Sequence, residues 1–354
     1  MLFLDPSRPL PAAQTPYQMR VLNFCQQWQA EETSFLLRTS GSTGIPKPIQ
    51  LTRSQMIASA ILTGQTFGLQ SGDRALCCLD VQYVAGMMML VRALELKLSV
   101  VVVEPSTAPL KEWPTEWDLH FAAFTPLQLH TIVHQSSNAQ AILRSAKAIL
   151  VGGAPVSVQL EAELQHLEAP LFATYGMTET VSHVAIRRIN GTTRSDAFRV
   201  LNGVEAGADE RGCLWVRGGM TDFALIQTND LVEWVDTRQF RWMGRFDSII
   251  NSGGLKIQPE RVEAIVSSVL LAAGMDARFF VMGLRDERLG QCVGLISEGG
   301  PLAAEIRERI QSAVEAQVSR YAVPRRWLSV LHFDETATGK LDKRATLQSL
   351  GEYS

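Results

Sequence analysis

At 354 residues, 46% hydrophobic and 19% charged, the chain has an ordinary globular composition and is long enough for one large and one smaller domain. A formal net charge of −3 gives no reason to expect nucleic acid or an anionic membrane as a partner. The N-terminus lacks the basic flank of a secretory signal, and the longest apolar stretch, 84–103, is broken by Arg92, Glu95 and Lys97, which excludes a membrane span.

Five cysteines are scattered without zinc-ligand spacing, so a reduced cytoplasmic protein with no integral membrane association is expected. From about residue 35 to 185, β-like and helical runs alternate. Residues 35–37 read as a strand leading into a Gly/Ser/Thr loop, 54–67 as a helix, 75–79 as a strand and 84–97 as a helix. The β-branched run 99–103 and the apolar runs 121–124, 148–151 and 171–174 complete a set of buried strands, with Thr125-Pro126 opening a helix after the second of these. Such alternation predicts an α/β fold with a mainly parallel sheet, whose strands present ligand loops at their C-terminal ends. After about residue 195 the texture becomes antiparallel, with β-like segments at 213–217, 222–227, 231–235 and 239–243. A small α+β unit follows, with a Gly-Gly turn, a helix from Pro259, strands at 278–283, 292–297 and 327–333, and a helix at 303–318. The predicted division is a large domain, 1–246, and a small mobile C-terminal domain, 247–354.

The sharpest local signal is Thr39-Ser40-Gly41-Ser42-Thr43-Gly44-Ile45-Pro46-Lys47. Glycines let backbone approach an anion, hydroxyls and N–H groups donate to phosphate oxygens, and lysine adds a cation. A plain surface loop is the competing reading. The Walker pattern fails, because Lys47 precedes Pro48 and only two residues separate Gly41 from Gly44. Glu179 follows a strand end, where a carboxylate can hold Mg²⁺ beside a triphosphate or simply cap a turn. Asp230 can accept two ribose hydroxyls or serve as a turn residue, and Arg245 can reach phosphate or form a surface ion pair.

At these residues the chain resembles the adenylate-forming superfamily of acyl-CoA synthetases, adenylation domains and luciferases. The resemblance runs in order through the 39–47 loop, Gly152-Gly153-Ala154-Pro155, Tyr175-Gly176-Met177-Thr178-Glu179-Thr180, Thr228-Asn229-Asp230, Gly244-Arg245-Phe246-Asp247, 250–260 and Gly339-Lys340. It implies ATP, Mg²⁺ and coenzyme A as cofactors. Adenine would lie at Gly152–Pro155, with Tyr175 and Gly176 also on the nucleotide, the ribose hydroxyls at Asp230, ribose or phosphate at Arg245, and the metal at Glu179. Lys340, Glu179 and Thr178 would be catalytic and Asp247 a hinge, with Gly253 and Gly254 making room for the pantetheine arm. On residue chemistry alone those two glycines equally read as a tight turn. Tyr83 falls where the family places a ring beside the acyl pocket, or in the core.

The phosphate loop starts at residue 39, whereas relatives carry ~100 or more residues before it, so the family's N-terminal subdomain is expected to be partly missing, leaving monomer or homodimer open. Within the superfamily, 80–94, 103–106, Ser182-His183-Val184-Ala185-Ile186 and the Thr-Asn-Asp form resemble compact o-succinylbenzoate–CoA ligases of menaquinone synthesis. That resemblance implies an aromatic diacid, whose second carboxylate needs a cation or several donors. Arg92, Arg187, Ser182 and His183 are the candidates, though Arg92 could also face solvent. Alternatives are a synthetase for another aryl or short-chain acid, an adenylation module serving a carrier in trans, and a non-catalytic nucleotide-binding relic.

Overall fold

The computed structural model describes residues 1–38, 48–135, 137–336 and 341–351. Thr39, Ser40, Gly41, Ser42, Thr43, Gly44, Lys47 and Lys340, all named above, lie outside the described residues.

Parallel strands Ser99–Val102, Arg74–Cys77, Phe121–Phe124, Ala148–Val151 and Leu171–Gly176 lie side by side in that order. Successive residues face opposite cores. Ala75, Cys77, Val100, Val102 and Phe121 join one cluster, while Leu76, Cys78, Val101, Ala122 and Phe124 join another. A sheet covered on both faces needs such apolar runs, which is why strands are legible at these places. The short strand Leu2–Leu4 closes one edge by pairing antiparallel with Ser99–Val102.

The antiparallel segment is not a separate sheet. His183–Arg188, Phe198–Val200, Gln239–Arg245, Ile226–Trp234, Cys213–Gly218 and Val204–Ala208 continue the same sheet outward from Leu171–Gly176, making twelve strands. The segments expected at 222–227 and 231–235 are one strand, Ile226–Trp234, preceded by a turn in which Asp222 and Phe223 take left-handed φ values of 48° and 59°.

A hairpin of Ser34–Arg38 and Pro48–Thr52 brackets the 39–47 segment. The second of its strands runs straight into the helix Arg53–Phe67 through a capping box, in which Thr52 and Gln55 each satisfy the other's backbone N–H. The hairpin packs on the helix Pro16–Gln29, where Phe24, Trp28 and Phe35 lie 5.2–5.9 Å apart between ring centroids.

Beyond Ile250 a second, five-stranded sheet carries its own cores. Val262, Val266, Ile310 and Val314 of helices Pro259–Ala272 and Ala304–Gln317 cover one face, and Leu347 of helix Lys343–Ser349 with Phe333 covers the other. The clusters of the large sheet end at Phe240 and those of the second sheet begin at Ile250. All five cysteines are buried and unpaired, and burial pushes the Cys77 thiol up to about 12. Among the described residues no helix is long and apolar enough to cross a membrane.

Candidate active site

The C-terminal ends of the parallel strands gather the predicted loops. Val151 leads into Gly152, whose N–H donates to the Phe124 carbonyl at 3.1 Å. A Cβ on Gly152 would press on Thr174 Oγ1 at 2.5 Å, and Gly153 has φ +86°. Both positions therefore need glycine for reasons of space and backbone. Ala154 and Pro155 are exposed beside them.

Tyr175 is the penultimate residue of the next strand, and its hydroxyl donates to Asp230 Oδ2 at 2.6 Å. Trp242 Nε1 donates to Asp230 Oδ1 at 3.2 Å, so the buried carboxylate is aimed by two rings from two other strands. Burial and the adjacent Asp230 push the Tyr175 phenol up, so it stays a donor. Each Asp230 oxygen keeps lone-pair capacity for a further donor. Trp242 carries no motif of its own and is invisible from sequence. Arg245 stands opposite Asp230 in the sheet register and forms a bidentate pair with Asp247 at 2.8 and 2.7 Å. In this arrangement the two are the partly exposed ion pair that was Arg245's plainer reading.

Glu179 sits exposed at the tip of a single 3-10 turn, Thr178–Thr180. The buried Thr180 hydroxyl pins that turn, accepting from Met177 N at 3.0 Å and lying 2.8 Å from the Ser182 carbonyl. Val181 follows with φ 62°, an unfavourable region for a β-branched residue and a sign that the loop is held against strain. Gly176 permits the hairpin to close, because a Cβ there would overlap the Ser182 carbonyl oxygen and crowd His183 Cα. Gly176→Ala is expected to cost about 1–3 kcal/mol or more of stability and to displace Glu179. Urea denaturation and ATP–pyrophosphate exchange both read this, and unchanged values in both would show that the turn has slack.

The same loop ends on a buried polar cluster. Arg92, only 2% exposed, donates from Nε to Thr63 Oγ1 at 3.1 Å, from one terminal nitrogen to Met89 Sδ at 3.6 Å, and from the other to Ser182 Oγ at 2.6 Å. No carboxylate among the described residues pairs with it. Its side chain is therefore inside the fold, against the solvent-facing alternative. Burial lowers Arg92 to about 10, which leaves it cationic at neutral pH. Ser182 Oγ lies 3.2 Å from His183 Nδ1. With the serine proton assigned to Nδ1 from this network, Nε2 carries the ring proton. That Nε2 is buried without a partner. A buried guanidinium without a carboxylate among the described residues and a partnerless N–H, linked through Ser182, are donors that an anion would satisfy. Arg187 is not part of this cluster, since Glu161 pairs with it. Tyr83, half-buried, precedes the helix Val84–Leu96 as its N-cap without a side-chain capping bond. Thr63 and Met89, which complete the cradle, sit on ordinary helical faces and carry no sequence signal.

Burial, and secondarily Arg92, lowers His183 to about 3. An unfolded imidazole titrates near ~6.5, so between these values the unfolded chain holds a proton that the native state does not. This contribution to stability is complete above ~6.5 and is lost as pH falls toward 3. His183→Gln is therefore expected to lose less stability than the parent between pH 7 and pH 5 in urea melts, and equal losses would place the proton uptake elsewhere.

In the second sheet, Gly253 and Gly254 have φ 59° and 83° and join Ile250–Ser252 to Leu255–Ile257. Two consecutive positive φ values are the geometry of a two-residue hairpin turn that glycine favours. The tight-turn reading thus holds, and a Cβ on Gly254 would meet nothing within 4 Å.

Residues 4–219 match the AMP-binding enzyme family. The chain is similar to the 2-succinylbenzoate–CoA ligase of Bacillus cereus, 24% identical over 354 aligned residues that take in 92% of this chain and 72% of that enzyme. Among solved structures it is similar to an acyl-CoA synthetase (AMP-forming)/AMP-acid ligase II-like protein from Dyadobacter fermentans, 39% identical with a TM-score of 0.66. That match covers 98% of this chain and 99% of the other. It shares the fold of o-succinylbenzoate coenzyme A synthetase from Bacillus subtilis, solved with ATP and magnesium ion, at 22% identity and a TM-score of 0.72, covering 88% and 69% of the two chains. The family match over 4–219, together with the near end-to-end likeness at 39% identity, establishes that the chain belongs to the AMP-binding enzyme family.

Proposed function

We propose that this AMP-forming acid–CoA ligase activates o-succinylbenzoate, joining it first to AMP and then to coenzyme A. The observation that carries this reading is the buried Arg92, without a carboxylate partner among the described residues, beside the orphan Nε2 of His183 and adjoining the glutamate loop through Ser182. A diacid would place its distal carboxylate there and leave the other carboxylate to react. The B. cereus and B. subtilis relatives, named for that acid, support the choice.

In this reading the 39–47 loop, with Lys47, cradles the triphosphate. Gly152–Pro155 and Tyr175-Gly176 flank adenine, and Asp230, aimed by Tyr175 and Trp242, takes the ribose hydroxyls. Glu179, with Thr178 beside it, would hold Mg²⁺, which neutralises phosphate charge as the attack develops. A carboxylate oxygen of the acid attacks the α-phosphorus and pyrophosphate leaves; the thiol of coenzyme A then attacks the acyl carbon and AMP leaves. Residues 247–354 act as a small mobile domain, and Asp247 as its hinge. Rotation there would break the Arg245–Asp247 pair and free Arg245 for ribose or phosphate.

ATP–pyrophosphate exchange across an acid panel tests the reading. Exchange with o-succinylbenzoate and consumption of coenzyme A are expected. Exchange only with monocarboxylic aryl acids would replace it by the second reading, a synthetase for another acid, which the 39% relative's less specific description leaves room for. No exchange with any acid would sink both.

A further inference from the structure

We propose that His130, His134 and Glu163 form a binding site for a divalent transition-metal ion of the zinc class, made of residues that the adenylating machinery does not use. His130 and His134 lie four residues apart on the helix Pro126–Gln135 and therefore share a face. Glu163 ends the neighbouring helix Val158–Glu163. Three ligand atoms, one from each residue, all lie within 4.8 Å of one another. The two rings are 4.3 Å apart between centroids, and His134 Nε2 is 3.1 Å from Glu163 Oε2. Ligands ~2.0–2.1 Å from a tetrahedral zinc stand about 3.3–3.4 Å apart, so this separation already approximates that across a metal.

The carboxylate is also oriented. Gln159 Nε2 donates to Glu163 Oε1 at 3.2 Å, which leaves Oε2 turned toward the imidazoles. Fixing one carboxylate oxygen by an outer hydrogen bond is how ligating carboxylates are held ready. Two imidazole nitrogens and one carboxylate oxygen suit zinc or its neighbours better than magnesium, which prefers an all-oxygen shell. Water would complete the fourth position. The two helices follow the adjacent strands Phe121–Phe124 and Ala148–Val151, so a bound ion would staple them together. An ion held more tightly by the native arrangement than by the unfolded chain would also raise thermal stability.

The test uses the full chain, stripped with chelator and titrated with Zn²⁺ against a chromophoric competitor, with thermal melts run in parallel. One equivalent is expected to bind to the parent and raise its melting temperature. His134→Ala and Glu163→Gln remove ligands outright and should weaken binding by more than the ~10–100-fold that losing an outer-shell partner costs, and abolish the zinc-dependent shift while leaving the metal-free melt unchanged. If His134→Ala fails to fold, His130→Asn tests the same claim. The proposal is overturned if the parent takes up no zinc, or if parent and variants bind it equally; the first outcome would leave His134 and Glu163 as a simple surface hydrogen bond.

Discussion

Lys340→Ala is expected to abolish adenylate formation while sparing thioester formation from a preformed acyl-adenylate. The first half-reaction drives a carboxylate onto an already anionic phosphate, so negative charge accumulates on the α-phosphoryl oxygens at the transition state. A cation placed there contributes most to that step, and removing one such donor typically costs ~10²–10³ in rate. The second half-reaction expels AMP from a carbonyl carbon and has no such demand at phosphorus. Gly254→Leu should show the converse defect. Its Cβ meets nothing within 4 Å in the structure, so the side chain would stand where the pantetheine arm is proposed to pass, although φ +83° strains any β-carbon-bearing residue by roughly 1–2 kcal/mol. Gly254→Asn supplies the control, because asparagine tolerates the left-handed region far better. Pyrophosphate exchange reports the first step, and coenzyme A consumption from synthetic adenylate reports the second. Equal loss of both steps in Lys340→Ala would sink the division of labour.

How much of this was legible in the sequence depends on the range of the interaction. Phe121–Phe124 and Ala148–Val151 have the bounds expected of them, because a strand buried on both faces must be apolar throughout and polar residues bound it. The break at 222–225 escaped the pattern, since Asp222 and Phe223 take left-handed backbone with no glycine to signal it. The helix Pro16–Gln29 was not expected at all, because its apolar face is meaningful only once the paired strands Ser34–Arg38 and Pro48–Thr52 pack on it. Candidate residues on loops were legible as motifs. The contacts between them were not, because Tyr175 reaches Asp230 across 55 positions and Arg92 reaches Ser182 across 90. Nothing local in a sequence encodes a contact at that separation.

Arg92→Met is expected to raise stability and remove selectivity for a diacid. Methionine roughly keeps the volume of the arginine stem and its contacts, but takes away a guanidinium that has no carboxylate partner among the described residues. A buried charge with no counter-charge carries an uncompensated desolvation penalty, which an apolar side chain of similar size removes. Ser182 loses a donor yet keeps His183 as a partner, so no new buried group is stranded there. Activity should move the other way. Truncating one side of a buried charge pair costs about 2–5 kcal/mol, which corresponds to roughly 30- to several-thousand-fold in kcat/KM for o-succinylbenzoate. Exchange with an aryl acid lacking the second carboxylate should change far less, because that acid never used the guanidinium. A purely structural arginine predicts a different pair of results: a lower melting temperature and a uniform loss with both acids. The two accounts therefore part on stability and on the ratio of the two substrates.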